Sequence, residues 1–261
     1  MKALKFEDAY IKRIAHAHNV DMNNLPSKEE IEQKFVDKAI NDLATQKKSH
    51  YYRMSVWSGG KPLKFTFGDW DVTKQVNVEQ AKTLGNKAFK LASQLQAQQF
   101  NVVLMGDRGV GKTSLALAMM NSLMSTNNEH AGKSGMFVST AELLSLINAK
   151  YDSTDIAQKI RDIRRAMIEV DVLVLDDFGT EGGMTGHFRP VHKDLQDLMY
   201  QVSNARVDFD NNQVHGTTIV TTNNTKQQLK QMYEGKFIDR IYPKNPEHQL
   251  LFADMKGVRN V

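Results

Sequence analysis

The octapeptide Gly106-Asp107-Arg108-Gly109-Val110-Gly111-Lys112-Thr113 constrains this chain more than any other stretch. It follows the apolar run Val102 to Met105 and precedes a helical spacing of apolar residues at Leu115, Met119, Met120 and Leu123. G-x-x-x-x-G-K-[ST] between a strand and a helix is the pattern of a phosphate-binding loop. The glycines let the backbone curl so that successive N–H groups face phosphate oxygens, and the helix adds its positive N-terminal end. Lys112 is placed to reach the β- and γ-phosphates, and Thr113 to ligate Mg²⁺. The run Gly106, Asp107, Arg108, Gly109, Val110, Gly111, Lys112, Thr113 and Ser114 is therefore read as the binding segment for ATP or ADP.

Such a loop needs a parallel sheet behind it. Short apolar segments that alternate with helical patterns supply five strand candidates: Val102 to Met105, Met136 to Val138, Val172 to Leu175, Thr218 to Thr221 and Leu250 to Phe252. A helix is predicted from Val78 to Leu95, and Ser139 with Glu142 reads as a capping box opening the helix after the second strand. The fold class predicted is α/β: a P-loop NTPase with a five-stranded parallel sheet and helices on both faces, preceded by a small helical N-terminal module.

The third strand ends in Asp176-Asp177. Alone, two acidic residues at a strand end are an ordinary solvated terminus; paired with the phosphate loop they read as a Walker B element. Asp176 would hold the Mg²⁺ hydration shell, and Asp177 would orient or deprotonate the attacking water. Asn223, after the fourth strand, either caps the helix starting near Lys226 or senses the γ-phosphate from between the two carboxylates and the loop.

Three segments are expected. Residues 1–50 read as a helical partner-binding module, with Phe6, Tyr10 and Ile14 on one face and Ile31, Phe35, Ala39 and Leu43 on another; residues 51–64 read as a linker whose aromatics are available to a partner; residues 65–261 read as the nucleotide domain. No apolar run is long enough to span a bilayer, and the first 21 residues mix charges in a way unlike a signal peptide. With no cysteine there is neither a disulfide nor a Cys-ligated zinc, which fits a cytoplasmic location. The net charge of +4 permits nucleic-acid binding without arguing for it.

The order of these motifs resembles the AAA+ ATPases of the bacterial replicative-helicase loader type, the DnaC and DnaI group, with the transposition helper IstB as a close relative. The residues that carry the resemblance are Gly106 to Thr113, Leu-Asp-Asp-Phe-Gly at 175 to 179, Thr-Thr-Asn at 221 to 223, Phe237-Ile238-Asp239-Arg240, and Met255 to Arg259. The resemblance implies that Arg240 is an arginine finger acting on a neighbouring subunit, that Arg259 is a sensor 2 arginine, and that the ATP state is a homo-oligomer. It implies as partners a hexameric replicative DNA helicase and single-stranded DNA, and no membrane. DNA contact would fall on the helical insertion at Thr140 to Tyr151 and Asp155 to Ile168: Tyr151 stacking on a base, with Lys150, Lys159, Arg161, Arg164 and Arg165 along the phosphates.

Two departures matter. Asp177 occupies a position where many AAA+ proteins have Glu, which points to slow hydrolysis, and the cysteine-free N-terminal segment cannot be the zinc domain of the DnaI branch. The same motifs leave two further readings open: an IstB-like transposition helper that binds duplex DNA and a transposase, and an adaptor or helicase inhibitor that binds nucleotide without hydrolysing it.

Overall fold

The computed structural model describes Arg13, His16, Ala17 and residues 27–125, 132–150, 153–182, 189–208, 210–211 and 213–258. The chain divides into two compact units, Met1–Gln46 and Lys47–Val261. The first expected helical face, Phe6, Tyr10 and Ile14, lies outside the described residues.

Helix α1 (Lys28–Arg53) starts at a capping box: the Ser27 hydroxyl accepts from the Glu30 N–H, and the Glu30 carboxylate accepts from the Ser27 N–H. Within the first unit, Ile31, Phe35 and Leu43 are exposed. The helix runs into the second unit, where its last turn brings Tyr51 into the core.

In the second unit five parallel strands form one sheet: β1 (Val102–Gly106), β2 (Gly135–Ser139), β3 (Val172–Asp176), β6 (Thr217–Thr222) and β7 (Gln249–Phe252), in the order β2-β3-β6-β1-β7. The hairpin β4 (Val207–Asp208) and β5 (Gln213–Val214) stands apart from it. Side chains alternate between two cores along each strand. Val102, Leu104, Phe137, Val172, Val174 and Ile219 pack with α2 (Val78–Ala97) and α3 (Lys112–Met124). Val103, Met136, Val138, Leu173, Leu175 and Val220 face α4 (Thr140–Ala149), α5 (Thr154–Glu169), α6 (Lys193–Ala205), α7 (Lys226–Met232) and α8 (Gly235–Ile241). Both faces are thus covered, as the apolar runs require.

The stretch read as a linker is not free in its first half. Val56 pairs in parallel with Val138: its N–H donates to the Phe137 carbonyl, and its own carbonyl accepts from the Ser139 N–H, each at 2.8 Å. Trp57 stacks on Phe137 with ring centres 4.5 Å apart. An edge strand leaves main-chain groups without partners, and this short segment satisfies those of β2. Tyr51 and Trp57 are consequently buried rather than presented to a partner. The capping box after β2 is half formed: the Ser139 hydroxyl accepts from the Glu142 N–H, whereas the Glu142 carboxylate turns to the Gly59 N–H.

Arg206, the residue after α6, is 4% exposed. Its guanidinium donates to the carbonyls of Met167, Ile168, Val170 and Thr217 and to the Thr218 hydroxyl, at 2.7 to 3.3 Å. One side chain therefore satisfies the C-terminal end of α5 and ties it to β6. Burial lowers its pKa to about 10, which keeps it charged at neutral pH. Arg206→Met is expected to cost about 3 kcal/mol, because several buried carbonyls lose their donor at once. A urea unfolding midpoint that falls at unchanged slope checks this.

Candidate functional site

The phosphate loop runs from the end of β1 into α3. Gly109 (φ 78°) and Gly111 (φ 101°) take left-handed backbone conformations. At Gly111 a side chain is also excluded by space, since a Cβ would lie 2.7 Å from the Trp70 ring. No side chain caps the first turn of α3, so its N–H groups and dipole are directed at the loop concavity.

Lys112 is 5% exposed, and its ammonium donates to the Gly106 carbonyl at 2.8 Å, the Asp107 carbonyl at 2.6 Å and the Asn223 Oδ1 at 2.7 Å. The last contact joins the loop to the end of β6. It is possible because β6 lies between β1 and β3, with Leu104 beside Thr221 and Leu175 beside Val220. Asn223 is thus held between the loop and the paired carboxylates.

Asp176 closes β3 and is buried. Its Oδ1 accepts from Thr113 Oγ1 at 2.8 Å and from Thr221 Oγ1 at 2.7 Å. Burial pushes its carboxyl above the usual carboxylate range, the neighbouring Asp177 adds to this, and the two hydroxyls oppose it. A cation near Thr113 would favour the ionised form, and a threonine hydroxyl beside a carboxylate is the hard-oxygen donor set that suits Mg²⁺. Among the described residues no cluster of three His, Asp or Glu side chains is placed to hold a metal by itself. Any divalent cation here would depend on phosphate oxygens and water for the rest of its shell.

Asp177 has φ 52°, a conformation that Asp and Asn adopt more readily than other side chains. The turn is clamped on both sides. Its N–H donates to Thr221 Oγ1, the Phe178 N–H donates to the Thr221 carbonyl, and the Phe178 ring stacks on Tyr233.

These groups converge on one cleft of about 300 Å³, at the small end of the range for ligand sites. Its lining includes Arg108, Lys112, Thr113, Ser114, Asp177 and Asn223, along with Gly109 and Gly111. Gly106 and Asp107 contribute carbonyls to Lys112, while the Val110 side chain is buried in the core beneath the loop. Thr180 and Val258 also line the cleft, although no motif marked them, and Thr221 contacts both carboxylate residues. The Val258 N–H donates to the Gly109 carbonyl, which carries the chain past the loop just before Arg259. Arg259 itself lies outside the described residues, as does Tyr151.

Arg240, Lys150, Arg164 and Arg165 are not among the residues that line the cleft. Arg240 is on α8, with its guanidinium 4.7 Å from the centre of the Tyr200 ring. Lys150, expected along DNA phosphates, is turned to the Asp194 carboxylate of α6 at 2.7 Å and is partly buried. On α5, Arg164 donates to Gln201 at 2.7 Å and Arg165 pairs with Glu169 at 2.8 Å.

The profile of the family described as "IstB-like ATP binding protein" matches residues 2–241. The Escherichia coli (strain K12) protein YdaV is 31% identical over 126 residues, which is 48% of this chain and 46% of that protein. The match therefore spans about half the length of this curated relative. Among solved structures, the replication initiator DnaA bound to AMPPCP and single-stranded DNA superposes with a TM-score of 0.50 at 15% identity, over 73% of this chain and 50% of that one. DnaI superposes with a TM-score of 0.51 at 22% identity, over 72% of this chain and 90% of that one. At these identities the likeness is one of fold alone.

Proposed function

Because this chain belongs to the family of IstB-like ATP-binding proteins, we propose that it hydrolyses ATP slowly and uses the nucleotide state to hold, and then release, a hexameric replicative DNA helicase as that helicase is placed on single-stranded DNA. The observation that carries the ATPase reading is the convergence of Lys112, Asp177 and Asn223 on one cleft, with Thr113 hydrogen-bonded to Asp176 at its side. The loop N–H groups and Lys112 hold the phosphates. Thr113 and Asp176 would hold Mg²⁺, which would supply charge stabilisation for phosphoryl transfer when bound. Asp177 orients the attacking water.

The Lys112–Asn223 hydrogen bond suggests how the state is read. A phosphate that draws the ammonium toward itself competes with Asn223, and Asn223 lies three residues before α7. The signal would pass into α7 and α8, which carries Arg240. Arg240 serves as an arginine finger in trans, and Arg259 as the sensor 2 arginine. Arg240→Ala is expected to bind ATP normally and lose turnover, and mixing it with Lys112→Ala protein should restore part of the activity. No recovery at any ratio, with subunit exchange demonstrated, removes the shared-site role.

The loader reading draws on the motif order and on DnaI as a neighbour in fold. Single-stranded DNA would lie along α5, using Lys159, Arg161, Arg164 and Arg165, with Tyr151 stacking. Lys150 is left out of this surface because Asp194 already holds it. Membership of the IstB-like ATP-binding proteins is equally compatible with a second reading, a transposition helper acting on duplex DNA with a transposase. One experiment separates the two: co-elution of the full chain with the host's hexameric helicase in ATP and in ADP, beside binding to single-stranded and duplex DNA. Nucleotide-dependent helicase binding with a single-strand preference supports the loader; duplex preference without helicase binding supports the helper. Binding of ATP without turnover under every condition would leave the non-hydrolysing adaptor.

A further inference from the structure

Three side chains that the proposed chemistry does not use meet on the carbonyl side of Asp177. Thr140, the first residue of α4, is fully buried. Its Oγ1 lies 3.1 Å from the Asp176 carbonyl oxygen, 3.2 Å from the Asp177 carbonyl oxygen and 3.1 Å from Oε2 of Glu181. The other carboxyl oxygen of Glu181 accepts from the hydroxyl of Tyr233, which is 3% exposed. Glu181 sits in the short turn Thr180–Gly182 that follows the paired carboxylates, and the Tyr233 ring stacks on Phe178 with centres 4.6 Å apart.

Counting protons constrains this cluster. A hydroxyl carries one proton and two lone pairs, and a carbonyl cannot donate. With Glu181 ionised, the single Thr140 proton would have to serve two carbonyls and a carboxylate, and two of the three approaches would set oxygen against oxygen. With a proton on Glu181 only the two carbonyls compete for the Thr140 proton, and at 3.1 and 3.2 Å they can share it in one three-centre bond. Tyr233 donates to Glu181, Glu181 donates to Thr140, and Thr140 donates to the carbonyls of the Asp176-Asp177 step. The direction agrees with the surroundings, since burial pushes the Glu181 carboxyl above the usual carboxylate range against the pull of Tyr233, Thr140 and nearby N–H groups.

We propose that Glu181 is a positioning residue that donates to Thr140 and, through it, fixes the carbonyl side of the left-handed turn at Asp177, so that the Asp177 carboxylate keeps its place in the cleft. The turn is then held from two directions, by Thr221 at the Asp177 N–H and by Thr140 at the carbonyl. The same link fastens the residue that ends α7 to the turn, because Tyr233 touches both Glu181 and Phe178. The effect on turnover rests on the hydrolytic reading of the cleft; the effect on the turn itself does not.

The test therefore has two readouts, single-turnover ATP hydrolysis and hydrogen exchange of the backbone amides of residues 177–180. Glu181→Gln keeps both an acceptor for Tyr233 and a donor for Thr140, and is expected to match wild type in each. Glu181→Met fills the space without either group. It should speed amide exchange in the turn about tenfold and lower the hydrolysis rate about ten- to a hundredfold through misplacement of Asp177, with ATP affinity unchanged. Thr140→Val should give the same pattern, and in the Glu181→Met background it should add nothing further. Should Glu181→Met not fold, Thr140→Val carries both readouts. Wild-type exchange in Glu181→Met or Thr140→Val overturns the proposal. So does an affinity loss that parallels the rate loss, or a Glu181→Gln protein as impaired as Glu181→Met, which would mean that an ionised carboxylate is required. If the wild-type protein hydrolyses no ATP, the functional reading fails and the exchange measurement alone decides the role of Glu181.

Discussion

Lys112→Ala is expected to weaken ATP binding about ten- to a hundredfold, because a buried ammonium donating to phosphate oxygens contributes about 1.5–3 kcal/mol. The loss extends beyond the ligand. In the structure the same ammonium donates to the Gly106 and Asp107 carbonyls and to Asn223, so alanine also leaves the start of the loop and the end of β6 without their shared donor. A stability decrease of about 1–2 kcal/mol should accompany the loss of affinity. A fluorescent-ATP titration beside a urea unfolding curve separates the two effects. Unchanged affinity with reduced stability would mean that Lys112 is a structural pin and that nucleotide binds elsewhere.

Asp177→Asn is expected to do the opposite: full nucleotide affinity, with hydrolysis reduced about a hundred- to ten-thousandfold, the range for loss of a positioned general base. Asparagine is the informative replacement here because the position has φ 52°. Asn accepts that conformation at least as readily as Asp, so the clamp from Thr221 and the stacking of Phe178 survive and only the charge changes. Alanine would mix a strained turn with a missing base. Pre-steady-state hydrolysis with saturating ATP is the measurement. Wild-type turnover in Asp177→Asn would move the catalytic role to another group, and the Mg²⁺ ligand assignment of Asp176 would need to be reconsidered with it.

Local patterns in the sequence carried the fold to within a residue or two. Each expected strand is present, extended at one or both ends, and the helix expected from Val78 to Leu95 runs to Ala97. Parallel strands buried on both faces read as apolar runs, and that signal needs no knowledge of the partner strand. The loop, Asp176, Asp177 and Asn223 were legible for a similar reason, since each marks the C-terminal end of a strand. What was not legible depends on residues far apart in sequence. Nothing local announces that Arg206 will satisfy carbonyls nearly forty residues upstream, or that Glu181 will share a hydroxyl with Thr140. The burial of Tyr51 and Trp57 is not legible in composition. A basic, aromatic stretch looks like an exposed linker until the edge of β2 is known to need covering. Lys150 was drawn inward by Asp194, a carboxylate 44 residues later.

The sheet order also has a consequence for how the protein is made. The strands bearing the loop and the paired carboxylates, β1 and β3, never touch, because β6 fills the space between them and β7 covers the other side of β1. During synthesis a nascent chain that has emerged only as far as the β4–β5 hairpin has β2 and β3 available to pair, but β1 has no neighbour at all. Its main-chain groups and apolar side chains wait for residues 217 to 222 to leave the ribosome, more than a hundred residues after β1 itself. Until then the half-made protein presents an unpaired strand edge of the kind that chaperones bind and aggregates recruit. A pause in translation before β6 has cleared the ribosome should prolong that exposure, whereas a delay imposed after it has emerged should be harmless.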